Sequence, residues 1–232
     1  MAALAAHQIK WPIVSMPEYV VHSAVAGLAV GIVEPWAAAF VDRRLSRRLQ
    51  FENDVRQSLK GALYLIVRVL KLDWDVAIEL SVNAFLVRRP LRRPWEPILY
   101  RIARESVAIH TPSHIRWTRG KGVIGKCWER RQEYGLDLEK VHGKLRYCTK
   151  EQWRALAPDE RIGLSYEEFQ KVKHYGAVGA VPILDAKGKF IGCVSVDAPG
   201  ETFGALWNSD GYVRGLLAQT ASTIAVLCKQ AR

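Results

Sequence analysis

Residues 175–199, YGAVGAVPILDAKGKFIGCVSVDAP from Tyr175 to Pro199, decide the fold. Residues 178–184 and 190–196 are runs of strand length, rich in Val and Ile. Between them lies Asp185-Ala186-Lys187-Gly188-Lys189, a polar connector in which Gly188 can take the positive φ that such turns need. The segment therefore predicts a β-hairpin. Both strands are apolar at consecutive positions, which predicts a place inside a sheet covered on both faces. Pro182 has no N–H for a ladder, so one edge beside it must be unpaired or bulged. After Asp197 a polar loop leads into an amphipathic helix over residues 211–230.

This order carries a family resemblance. VPILDAKGKFIGCVSVDAP followed by VRGLLAQTASTIAVL resembles the closing half of a GAF domain, a small-molecule sensor fold. GKGVIGKCWERRQEY, residues 120–134, is similar to that family's G-x-x-G turn opening a helix. The resemblance spans residues 51–228. It implies an α+β fold with a central antiparallel sheet. The N- and C-terminal helices pack on one face of it and a lid segment on the other; the chain puts a hydrophobic helix in front of this fold. It also implies a ligand cavity under the lid and a homodimer made through the first and last helices.

The chain has 232 residues, 49% hydrophobic and 25% charged, which fits one folded domain plus an extension. The four cysteines, at 127, 148, 193 and 228, form no C-x-x-C, so neither a zinc site nor a disulfide framework is indicated. The formal charge is +11, and residues 86–131 hold twelve Arg or Lys against three Glu. A basic face for nucleic acid, anionic lipid or an acidic ligand is one reading; a solvated arginine-rich surface is the other. The stretch lacks the interleaved aromatics of single-strand binders, so nucleic acid ranks last among the partners.

Taken in order, residues 1–18 read as an irregular arm and 19–41 as a hydrophobic helix. Residues 42–72 read as a connecting and first GAF helix, and 73–232 as the GAF-like domain. The run at 19–41 is long enough to cross a bilayer and is followed by Arg43, Arg44, Arg47 and Arg48, as a cytoplasmic flank would be. Glu34 and Pro35 interrupt it, which leaves a soluble or interfacial helix as the other reading. The expected location is accordingly the cytoplasmic side of a membrane, held by that helix, or the cytoplasm. Val55, Leu59, Ala62, Ile66 and Val69 are spaced four, three, four, three and predict one apolar seam. Val213, Leu216, Leu217, Thr220, Ile224 and Leu227 predict a matching stripe on the last helix. Residues 77–87 and 98–109 are candidate strands, joined by the exposed connector RRPLRRPW. A helix is expected from Gly122 to about Tyr134. In residues 135–174, Thr149-x-x-Gln152 and Ser165-x-x-Glu168 fit the capping box that starts a helix.

No Walker loop, H-E-x-x-H, G-x-S-x-G or paired-cysteine metal motif occurs. No metal or cofactor is therefore expected, and no catalytic residue is assigned. His142 and His174 read as hydrogen-bonded surface groups. Where the resemblance would place a redox cysteine the chain reads Gly122-Val123-Ile124-Gly125, and Cys127 reads as buried and inert. The sequence points to a stand-alone GAF-like sensor or regulatory binding module. Trp117, Trp128, Trp153 and Tyr175 are the candidate walls of its ligand site, and Arg101 or Arg104 the candidate partner of an anionic group. A thiol redox enzyme using Cys127 or Cys148, a GAF scaffold without a ligand, and a basic nucleic-acid-binding module are the alternatives.

Overall fold

A computed structural model describes residues 18–108, 113–145, 147–208 and 211–231. The expected arm falls almost wholly outside them. The chain divides into two compact units, residues 1–48 and 49–232. The two helices expected over 19–41 and 42–72 are one helix, α1, Glu18–Leu70. Among the described residues no helix is long and apolar enough to cross a membrane; the run expected to cross, 19–41, lies mostly on residues whose side chains fall outside the description. In the first unit Trp36, Phe40, Val41 and Leu45 are exposed.

The second unit is built on a five-stranded antiparallel sheet. Its strands are β1 Ser81–Arg88, β2 Ile98–Ser106, β3 Tyr134–Asp137, β4 Ala177–Leu184 and β5 Phe190–Ala198. The order is β2-β1-β5-β4-β3, which puts the expected hairpin inside the sheet. Asp185 Oδ1 closes its turn, accepting from the backbone N–H groups of Lys187 and Lys189 at 2.9 Å each, and Gly188 takes φ 72. Pro182 lies past the last β3 pairing, Tyr134 with Ala180, so its missing N–H breaks no ladder.

One face of the sheet is covered by α1 and by α7, Tyr212–Gln230. Val55, Leu59, Leu63 and Ile66 from α1 share an apolar cluster with Val213, Leu217, Ala221 and Ile224 from α7. Val82, Ala84, Val194 and Val196 of the sheet complete it. The seam departs from its expected course at Val69, which is 41% exposed, while Leu63 takes the inner place. The other face carries α3, Gly122–Arg130, and the lid helices α4 Leu138–His142, α5 Lys150–Ala155 and α6 Tyr166–Val172. Both capping boxes form: Gln152 N–H donates to Thr149 Oγ1 at 3.3 Å, and Glu168 N–H to Ser165 Oγ at 3.2 Å. This is the α+β, GAF-like architecture that the resemblance implies.

Three boundaries differ from expectation. Residues 77–87 split into a short helix, α2 Trp74–Glu79, and β1, because one helical turn brings Ala77 and Leu80 inward together. The second strand stops at Ser106 rather than 109. Helix α3 ends at Arg130 because Arg131 turns left-handed, φ 54, and the chain at once becomes β3, an edge strand expected to be part of the lid.

Candidate functional site

Strand register builds the site. Ser81 pairs with Asp197 and with Ser106, and Asn83 pairs with Ser195 and with Arg104. Side chains two apart on a strand share a face, so Ser81, Asn83, Ser195, Asp197 and Arg104 form one polar patch across β2, β1 and β5. Asp197 Oδ2 accepts from Ser81 Oγ at 3.0 Å and from Asn83 Nδ2 at 2.9 Å. Arg104 Nη2 donates to Ser81 Oγ at 3.0 Å. The network is incomplete: Asn83 Oδ1 and Arg104 Nε and Nη1 are buried without a hydrogen-bond partner. Buried groups of this kind cost free energy until something completes them.

Above the patch lies a cavity of about 60 Å³ between the sheet and the lid. Asn83, Arg101, Tyr175, Ser195 and Asp197 form its polar side, and Trp117, Val123, Ile124, Leu164 and Val178 are among its apolar walls. At 10–15 Å³ per water-sized group it has room for about four to six of them. Burial pushes the Asp197 carboxyl above the usual carboxylate range, against the pull of Arg104, Ser81, Asn83 and Arg101. Burial, then the field of Arg104, lowers the Arg101 guanidinium, while burial and Asp197 raise the Tyr175 phenol.

The G-x-x-G turn serves packing. A Cβ on Gly122, which has φ 62, would lie 2.7 Å from the Trp117 ring, and one on Gly125 would collide with the Thr118 carbonyl. The N–H of Gly122 donates to Ile162 O at 2.7 Å, and Lys121 Nζ donates to Glu168 at 2.8 Å. These two bonds fasten the lid to the start of α3.

The six candidate residues separate. Arg101, Trp117 and Tyr175 meet at this cavity, and Arg104 stands in the polar patch beside it. Trp153 does not line it: the ring is 1% exposed, stacks on Phe169 at 4.1 Å and donates to Leu164 O. It forms the interior of the lid. Trp128 stacks on Phe190 at 5.6 Å and borders a different groove. His142 corrects the surface reading, since it is buried against Trp153 and Phe169 with Nε2 3.1 Å from Glu160 O. Burial lowers its pKa. Asn83, Ser195 and Asp197 were missed. Their signal is the period-two placing of polar residues in SVN and SVD, overlooked beside the apolar neighbours.

Cys127 is fully buried, and burial, with the charge of Glu133, pushes its thiol up to about 12. Among the described residues no group of His, Cys, Asp and Glu could hold a metal ion.

No family model and no curated protein matches the chain. Solved structures similar to it include the GAF domain region of a protein from Geobacter sulfurreducens PCA, at 16% identity and TM-score 0.48, over 80% of this chain and 97% of that one. A type II free methionine-R-sulfoxide reductase from Thermoplasma acidophilum aligns at 12% identity and TM-score 0.46, over 78% and 96%. The GAF domain of an Acinetobacter phosphoenolpyruvate-protein phosphotransferase aligns at 12% and 0.44, over 82% and 94%.

Proposed function

We propose that this chain is a regulatory module that binds a small polar or anionic molecule between its sheet and its lid. The observation that carries the reading is the unfinished hydrogen-bond network at the cavity. Asn83 Oδ1 calls for a donor, while Arg101 and Arg104 favour an acceptor or a negative charge. The high thiol pKa of Cys127 supports binding over thiol chemistry, because a protonated sulfur is a poor nucleophile. Binding would tighten the lid onto α3 and the sheet, and the change would pass to a partner across the helical face.

Native and denaturing mass spectra of the purified chain test this. A bound molecule appears as extra mass in the native spectrum only, and Arg101→Met abolishes it while leaving the circular dichroism unchanged. A native mass equal to that of the bare chain, with a melting temperature unmoved by small carboxylates, phosphates and amino acids, would leave water as the occupant and overturn the proposal.

A homodimer is the second part of the reading. Beyond the buried stripes, Tyr64, Leu65 and Val69 on α1 and Tyr212 and Val226 on α7 remain exposed. Apolar flanks of this kind on paired helices favour a second copy of the chain.

A further inference from the structure

Toward the other end of β1 and β5 the second unit has a groove of about 700 Å³. Four cations from four separate segments converge on it. Arg89 comes from the β1–β2 connector, Arg119 from the loop before α3, Arg131 from the end of α3, and Lys189 from the hairpin turn. Among the described residues no Asp or Glu lines the groove, and none of the four cations has a salt bridge. Glu129 feels the field of Arg119 and offsets part of this charge, yet gathering four cations still raises the energy of the fold. The ends of α3 and α7 border the groove and offset part of this, but each carries only about half a negative charge. All four side chains are exposed, so water and salt balance the rest in the free chain, and a polyanion that binds would take their place.

The lining narrows the class. Three of the four cations are arginines, whose planar guanidinium groups take oxygens in pairs. Trp128 stacks on Phe190 with the rings 9° from parallel, and Phe51 and Ile191 line the same groove. The volume falls within the range of about 300–1,000 Å³ usual for small-molecule sites. A bilayer is flat and would meet the rim without reaching Phe190, which is 5% exposed. A single strand of nucleic acid needs aromatic rings along a track, and here Trp128 and Phe190 are stacked on each other. We propose that the groove binds an organic polyphosphate bearing a flat ring, of the nucleoside triphosphate class. Its phosphates would lie among Arg89, Arg119, Arg131 and Lys189, and its ring against the Trp128 side. This ligand is far too large for the cavity under the lid, so the two sites stand or fall separately.

Isothermal titration of the full chain with ATP, in EDTA and at low salt, tests it. Arg89→Glu and Lys189→Glu change exposed side chains with no ion pair, so the fold persists, as circular dichroism will show. One ATP binds per chain, the double variant binds it about tenfold or more weakly, and added salt weakens binding. Adenosine alone binds at least about tenfold more weakly for want of charge, and inorganic triphosphate more weakly than ATP for want of a ring. Absence of binding at millimolar ATP, or equal affinity in the double variant, would overturn the site. Equal affinity for inorganic triphosphate would overturn the ring-bearing class. Displacement of ATP by a tighter-binding oligothymidylate would overturn the small-molecule reading in favour of a nucleic-acid groove.

Discussion

Gly135 and Gly179 face each other across the β3–β4 pairing, and the indole of Trp207 fills the space where both lack a side chain. A Cβ on either residue would fall well inside contact distance of the ring. The edge of the sheet is thus held to the helical face by one buried aromatic, with a cross-strand glycine pair as its seat.

Gly179→Ala should destabilise the protein by about 1–3 kcal/mol, the usual cost of overpacking. In a Trp207→Leu background the same change should cost much less, because the smaller side chain leaves room. Urea unfolding of the two single variants and the double variant measures the coupling. Additive losses would mean that the alanine is tolerated by a backbone shift and not by the ring.

The hairpin was legible because its signals are local: two apolar runs and an Asp–Gly turn whose bonds close within five residues. The helical seam was legible for the same reason, since spacing on one helix names its buried side. Strand β3 was not, because YGLD has neither length nor branched residues and is a strand only by pairing with β4. The site was half legible. Arg101 and Tyr175 stand out as charge and aromatic, but whether a tryptophan lines the cavity or fills the lid depends on tertiary packing. Trp117 does the first and Trp153 the second, and nothing in their flanking residues separates them.

Asp197 gives a dependence on pH. Burial raises its folded pKa above the ordinary value of about 3.9. The folded state therefore holds this proton more tightly than the unfolded chain does, and ionising Asp197 costs stability. Relative to Asp197→Asn, the wild type should be most stable below the ordinary value. It should lose that advantage as pH rises from there through the raised pKa, and stay level above it. Urea unfolding of both proteins from pH 3.5 to 8 measures the difference. A difference that grows with pH would mean that Arg104 and Arg101 outweigh desolvation.

Cysteine reactivity separates the binding module from a thiol enzyme. With its pKa near 12, Cys127 is ionised in only about one molecule in ten thousand at pH 8. It is also fully buried, whereas Cys228 is partly exposed. Iodoacetamide at pH 8 should label Cys228 first and reach Cys127 and Cys193 only in denaturant, as peptide mapping would show. Rapid labelling of native Cys127 would revive the redox reading.

The two helices that cover the sheet make the last prediction. Leu59 and Ile66 are fully buried, so replacing either with Ala should cost about 2–5 kcal/mol wherever the subunits stand. Tyr64 and Val226 are 62% and 56% exposed in the single chain, so a charge there costs the isolated fold little. In a dimer made through these flanks the same charge would be buried without a partner, and the subunits would part. Tyr64→Glu and Val226→Glu should therefore halve the mass while preserving the helical signal. Sedimentation velocity on the fragment of residues 49–232 at tens of micromolar, with circular dichroism beside it, measures both. A folded wild-type monomer would remove the dimer and leave α1 and α7 as cover for the sheet alone.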